Sequence, residues 1–176
     1  MIYKNISKKE FNEKIKSGKK YYNGDDNSCM PIFYSIDFSE MVFKDLFLVN
    51  AKFIDCNLNG AVFNNCNLLC SIFEESLLRK SEFSNCNLQN SRFSRSFLFD
   101  AAIRECDLTS ANLILAGLNL FKVRFSRCVI DDVKVTDIDF PMLSYSKLDK
   151  KDLWHEREKE LEFFVADLEM HYNDSA

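Results

Sequence analysis

The side chains best able to do chemistry in this sequence are seven cysteines and two histidines, and the cysteines are regularly spaced. Cys56, Cys66, Cys86, Cys106 and Cys128 each open a five-residue unit, and the last four fall in one column once a two-residue insertion is allowed. A ladder of thiolates in such a column would suit a soft metal or redox chemistry. The same first position elsewhere holds Ala or Ser, which instead marks Cys as a small apolar interior residue. Cys29 and Cys70 lie outside that pattern and are expected to be accessible. An odd number of cysteines argues against a closed disulfide framework, and the N-terminal MIYKNISKKEF has no apolar signal core. Reduced thiols in a cytoplasmic protein are therefore expected.

His155 and His171 stand sixteen residues apart, and His155-Glu156 is not followed by the second His of a zinc-hydrolase motif. Neither a Gly-rich phosphate loop nor a GxSxG elbow occurs. The acid pairs Glu74-Glu75 and Asp131-Asp132 read as solvated surface. The expectation is a protein with no catalytic residue, no metal site and no cofactor, hence not an enzyme. No run approaches the ~18 apolar residues of a membrane span.

The units that place the cysteines run from Pro31 to Leu120, among them AKFID, CNLNG, AVFNN, CNLLC, SIFEE and SLLRK. The third residue of every unit from Phe33 to Leu118 is Phe, Leu or Ile, and from Ala51 the first residue of every unit is Ala, Ser or Cys. A period of five matches neither the helical 3.6 nor the strand 2.0. It matches a chain that turns a corner every five residues, with the first and third side chains inward and the other three outward. Four such sides close a coil of twenty residues, and coils stack at about the 4.8 Å of paired strands.

Residues twenty apart then form columns. Phe33, Phe53, Phe73, Phe93 and Leu113 make one, and Phe43, Phe63, Phe83 and Ile103 make another two sides away. Leucine columns, such as Leu58, Leu78 and Leu98, lie between them. After Leu120 the register slips, and treating Phe121-Lys122 as an insertion restores Phe125 under Ile103 and Cys128 under Cys106.

Three segments follow: an N-terminal cap over 1–30, a repeat domain over 31–148 with its break near 121–122, and a C-terminal helix and tail over 149–176. SKKEFNEKIKS, residues 7–17, reads as a short helix with capping-box spacing between Ser7 and Glu10 and a stop at Gly18. A repeat stack needs such a lid over its apolar end. From Asp149 a second helix is predicted, with Leu153, Trp154, Leu161, Phe164, Val165, Leu168 and Tyr172 along one side. Part of that stripe would cap the last coil. The rest, Trp154, Leu161, Phe164, Val165 and Leu168 among it, could pair with a second copy and form a homodimer.

Charge excludes one class of partner. Residues 1–30 are net +3, 31–120 net −3, 121–146 neutral and 147–176 net −4. No segment is basic enough for a nucleic-acid groove. Among outward positions, Leu77 and Phe97 are neighbours on one side, with Phe99 beside them and Leu115 and Leu120 at the corners. Ile54, Ile72 and Ile114 add to the adjacent side, whereas the side with Asn67, Asn87 and Asp107 is mostly polar. Contiguous exposed apolar surface points to a protein partner, unless a terminal segment folds back over it.

The units CNLNG, CNLLC, CNLQN, CDLTS and ANLIL resemble the A(D/N)LXX repeat of the pentapeptide repeat proteins, and the resemblance covers about 31–148. It implies a right-handed quadrilateral β-helix of about six coils. Some members, the Qnr group, protect DNA gyrase and topoisomerase IV from quinolones by presenting a DNA-like acidic rod, and dimerise through C-terminal helices. The resemblance therefore implies a type II topoisomerase as partner and a DNA-mimicking regulator as function. The alternative is a general interaction scaffold that uses the apolar side. Arg79, Lys80, Arg92, Arg95 and Arg104 interrupt any acidic stripe.

Overall fold

A computed structural model describes residues 2–25, 29–113 and 123–134 of the chain. Helix α1, Lys8–Tyr22, comes first, and eight strands of three residues each follow. They are β1 Ile32–Tyr34, β2 Val42–Lys44, β3 Lys52–Ile54, β4 Val62–Asn64, β5 Ile72–Glu74, β6 Glu82–Ser84, β7 Ala102–Arg104 and β8 Arg124–Ser126. Strands β1-β3-β5 form one parallel sheet and β2-β4-β6-β7-β8 another. Each pairs residue i with i+20, as in Phe33↔Phe53 and Phe43↔Phe63. Single bridges such as Asn57↔Leu77 and Asn67↔Asn87 join the coils along the two remaining sides. The result is a right-handed quadrilateral β-helix.

Coils 31–50, 51–70, 71–90 and 91–110 are complete, 111–113 with 123–132 belong to a fifth, and Val133 and Lys134 open the next. Four complete coils are fewer than the six expected, and the remaining units lie outside the described residues. After Asn112, which still pairs twenty residues back with Arg92, the register changes from twenty to twenty-two residues, seen in Ile103↔Phe125, Asp107↔Val129 and Asn112↔Lys134. Two extra residues therefore enter between 113 and 123. The position of Phe121-Lys122 itself is outside the described residues.

Inside, the third residue of each unit from Phe33 to Leu113 is buried, and so is the small first residue of the regular coils. The two phenylalanine columns face each other. Rings stack within a column, 4.4 Å between Phe43 and Phe63 and 5.0 Å between Phe53 and Phe73. Across the interior they meet edge to face, as at 5.9 Å between Phe63 and Phe73. Such pairs add about 0.5–1.5 kcal/mol each beyond the area they bury.

The corners have a cause that the period alone does not reveal. The fifth residue of every described unit from Ser35 to Asp132 has a left-handed φ, between 51° and 67°. Asn and Asp tolerate that region, Gly60 enters it freely, and β-branched residues do not. No described fifth position holds Val, Ile or Thr.

The N-terminal lid is longer than the sequence suggests. Ser7 Oγ accepts the Glu10 N–H at 3.1 Å, as the capping pattern requires, but the helix runs past Gly18 to Tyr22. Gly18 does not end it. A Cβ there would stand 2.5 Å from Pro31 Cδ, so the glycine is a point of close packing between lid and first coil. Phe11 is buried against Phe33, Phe38 and Phe43, with ring centres 5.6 to 5.9 Å away. Lys4 covers one open edge, accepting from the Asp37 N–H and donating its own N–H to Ser35 C=O.

Candidate protein-binding face

The polar side, the Asn67 face, shows what the second residue of a unit ordinarily does. Asn67, Asn87 and Asp107 each accept the N–H of the residue two positions on, at 3.2, 3.0 and 2.9 Å. These local bonds close the corner on the outside, much as an Asx turn does. Asp107 also accepts from the Thr109 hydroxyl and the Gln89 amide. Burial alone would raise its carboxyl, but those hydrogen bonds outweigh it and hold the pKa below the usual range.

The opposite side, the Phe97 face, starts the same way and then departs. Asp37 accepts the Ser39 N–H and Asn57 accepts the Asn59 N–H, and Asn57 Nδ2 donates to Asp37 Oδ1 at 3.0 Å. In the next two coils the equivalent residues are Leu77 and Phe97, bridged to each other in register. Neither can accept that bond. The Arg79 N–H donates instead to Asn59 Oδ1 of the preceding coil, at 2.9 Å. Two polar positions of the scaffold are thus given over to apolar side chains, and Phe97 remains 47% exposed.

Asn59, Leu77, Arg79, Phe97 and Phe99 line an open depression of about 440 Å³. The Arg79 guanidinium carbon sits 5.3 Å from the Phe99 ring centre, a cation–π contact. Among the described ion pairs no carboxylate meets Arg79. The floor is apolar and aromatic, and its rim carries one cation without a counter-charge.

Of the five residues expected to form this surface, the structure brings together Leu77, Phe97 and Phe99. Leu115 and Leu120 lie outside the described residues, as do Ile114 and the stripe of Trp154, Leu161, Phe164, Val165 and Leu168. Sequence reasoning missed Asn59 and Arg79. Their signal was available, because the fourth residue of a unit lies on the same side as the second. Tyr34, Val42 and Val129 are also exposed, but none of them lines the depression.

The cysteines are sorted more finely than their exchange with Ala and Ser suggests. From Leu58 to Leu108, units centred on Leu begin with Cys56, Cys66, Ser76, Cys86, Ser96 or Cys106, whereas those centred on Phe begin with Ala or Ser from Ala51 to Ser91. At a leucine corner the first N–H bonds back to the Leu carbonyl, as Ala51 does to Leu48 and Ser81 to Leu78. Ala therefore suffices there, and the hydroxyls of Ser71, Ser81 and Ser91 have no partner. At a phenylalanine corner the first side chain bridges coils. Ser76 Oγ accepts the Cys56 N–H and donates to Phe53 C=O, and Cys66 and Cys86 donate to Phe43 and Phe63 C=O. Cys exchanges with Ser there, not with Ala, because a donor is needed.

That role keeps the thiols protonated. Burial pushes Cys56 up to about 11, and the bond to Cys106 helps push Cys86 to about 11. Cys66 is raised by its bond to Cys86 and by burial, and Cys128 by burial. A thiolate is the reactive and metal-binding form, so these shifts work against both chemistries. Among the described residues no group of His, Cys, Asp and Glu could hold a metal ion. Cys29 is exposed and Cys70 half-buried, as expected.

Surface charge is mixed. Arg95 pairs with Glu74 and Glu75 at 2.7 and 2.8 Å, Arg104 lies 3.7 Å from Glu82, and Arg127 pairs with Glu105. Exposed pairs like these add little stability. They do neutralise the acids that a continuous negative stripe would need. Among the described residues no helix is long and apolar enough to cross a membrane.

A square coil of twenty residues, with Phe or Leu at each side's centre, a small residue before it and a left-handed corner after it, defines a class of β-solenoid. The sequence matches the family of pentapeptide repeats, in eight copies, over residues 32–68 and 56–95. Over residues 32–95 the chain thus carries the repeats of the pentapeptide repeat family. No curated protein matches it. Among solved structures it is similar to the pentapeptide repeat protein Rfr23 of the cyanobacterium Cyanothece 51142, at 20% identity and a TM-score of 0.47, over 52% of this chain and 61% of that one. It is also similar to HetL of Nostoc sp. strain PCC 7120, a protein involved in heterocyst differentiation regulation, at 16% identity and a TM-score of 0.39, over 60% and 62%. QnrB1, a plasmid-mediated fluoroquinolone resistance protein, is similar at 22% identity and a TM-score of 0.34, over 58% and 56%. The chain spans about six tenths of the length of these structures. Similarity at that level gives no partner for this chain.

Proposed function

We propose that this is a non-catalytic protein-binding solenoid whose docking surface is the Phe97 face. The observation that supports it most is the loss of the Asx-type acceptor at Leu77 and Phe97, on a side that keeps it in the two preceding coils. A scaffold gains nothing locally from exposing Phe97 there, and contiguous exposed apolar surface is characteristic of interfaces. Arg79 over Phe99 adds the aromatic and arginine character common at binding hot spots. Replacing Phe97 and Phe99 with Ser should abolish partner capture from the native host while leaving the far-UV spectrum intact, and unaltered capture would reject the reading.

The finer reading comes from the family resemblance and names the partner as DNA gyrase or topoisomerase IV, with the coil stack acting as a DNA mimic in the cytoplasm. It demands an acidic rod, which the paired arginines Arg95 and Arg104 oppose. Titrating the protein into gyrase supercoiling, with and without quinolone, decides it. No change in either arm removes the topoisomerase and leaves the scaffold. A homodimer through Trp154, Leu161, Phe164, Val165 and Leu168 is the alternative use of the C-terminal stripe, and is separated from another use below.

A further inference from the structure

In one place a terminal segment covers apolar residues at outward positions, while Tyr34, Val42 and Val129 are left exposed. On the Asn67 face the first coil carries Phe47 and Val49, both outward by the repeat. They are not left to solvent. Tyr22 at the end of α1 packs on Phe47, ring centres 5.2 Å apart and edge to face, and Val49 is only 3% exposed. The N-terminal segment therefore lids the end of the stack and also reaches down over one face.

The Phe97 face presents a similar apolar group nearer the other end, in the third and fourth coils. From residue 135 the chain has forty-two residues to its end at Ala176. Within them the predicted helix from Asp149 has the stripe Trp154, Leu161, Val165, Leu168 and Tyr172, which needs an apolar partner. Residues 147–176 are net −4, whereas the depression's rim holds Arg79, with Lys80 beside it, and no acid pairs with Arg79 among the described residues. Reach is not limiting. A helix of 149–172 would be about 36 Å long, and the third coil lies only about 15 Å from a sixth at the strand spacing.

We propose that the C-terminal segment 149–172 docks in cis on the Phe97 face, with its apolar stripe over Leu77, Phe97 and Phe99 and its acids toward Arg79. This rests on the reading of that face as a docking surface and adds its regulation: a partner binds by displacing the chain's own segment. The apparent affinity for the partner is then reduced by the fraction of molecules in which the segment is docked.

Trp154 is the only tryptophan in the chain and lies within the stripe, so the full-length protein reports on itself. Phe97→Ser should shift Trp154 emission to the red and raise its quenching by acrylamide toward the values of the unfolded chain. Arg79→Glu, which leaves the apolar floor in place, should do the same in smaller measure, and Gln89→Ala on the opposite face should do neither. Far-UV spectra and thermal midpoints confirm that each variant is folded. The wild-type signal should not depend on protein concentration, and the protein should sediment as a monomer. Unmoved Trp154 emission in both variants overturns the proposal. So does a red shift on dilution together with sedimentation as a dimer, which assigns the stripe to a second copy. The two readings of the face fail separately. Loss of partner capture with unmoved Trp154 emission removes the cis segment and leaves the interface, whereas a red shift with capture intact removes the interface and leaves the segment.

Discussion

The Asn67 face and the Phe97 face are built on the same interior and differ only in what stands outside it. Behind each runs a column of buried leucines, Leu48, Leu68, Leu88 and Leu108 in one, and Leu58, Leu78 and Leu98 in the other, with Phe38 above them. Each coil crosses both faces through a hydrogen-bonded corner. On the Asn67 face Asn67, Asn87 and Asp107 close that corner in three successive coils, between Phe47, which Tyr22 covers, and Val129 at the far end. On the Phe97 face they stop after Asn57. A repeat that holds its inward pattern through the regular coils and drops its outward pattern at particular positions is under two separate constraints. The inward one is folding. The outward one on the Phe97 face has no folding account, and that is where binding is proposed.

The largest effect should come from the shared interior. Leu78→Ala removes a fully buried side chain and should cost about 2–5 kcal/mol in urea unfolding. Its neighbour Leu77, one residue away and outward, should matter far less. A small cost at Leu78 would mean that the coils are loosely packed and that the contrast between inside and outside is overdrawn.

The thiols come next. Unfolded cysteines ionise near pH 9, while folded Cys56 and Cys86 hold their protons to about 11. Above pH 9 the unfolded chain therefore binds fewer protons than the folded one, and stability falls as pH rises. The contribution is fully present below pH 9 and is lost as pH climbs through about 11. The loss should be on the order of 1 kcal/mol per thiol per pH unit. Unfolding midpoints at pH 7 and pH 10 test it, and Cys86→Ser should flatten the difference. Because Cys66, Cys86 and Cys128 lie behind the Asn67 face and only Cys56 behind the other, the sensitivity should track the Asn67 side.

The first positions give a sharper pair. Ser76→Ala strands the Cys56 N–H and the Phe53 carbonyl and should destabilise by about 1–3 kcal/mol. Ser81→Ala removes a buried hydroxyl that has no partner and should be neutral or stabilising by up to about 1 kcal/mol. Equal effects would refute the division between the two kinds of corner.

The smallest effect exchanges the faces themselves. Asn87→Leu gives the polar side the residue type found at Leu77 and should cost about 0.5–1.5 kcal/mol, one hydrogen bond, without creating capture. Leu77→Asn restores the polar pattern and should change stability by no more than about 0.5 kcal/mol, while weakening capture. If Leu77→Asn were as damaging as Leu78→Ala, the Phe97 face would be part of the core.

Much of this was legible in the residues. Phe, Leu and Ile at the third position of each unit determined the square coil, because inward side chains meet only each other and must fit a narrow, repeated space. The insertion before Val123 was legible for the same reason, since Phe125 returns beneath Ile103 only if two residues are skipped. Gly18 was misread as a stop because its role depends on Pro31, thirteen residues away and across the lid. The donor at Cys56 and Ser76 was hidden because its acceptor is a backbone carbonyl of the coil before.

The outward positions mark the limit. The sequence by itself determined that Leu77 and Phe97 point away from the core and stand one above the other, because side and coil follow from the period. Only the tertiary structure decided that Phe47 is covered by Tyr22 while Phe97 stays exposed beside Arg79. Which outward residues are covered depends on where a terminal segment comes to rest, and the repeat does not encode that.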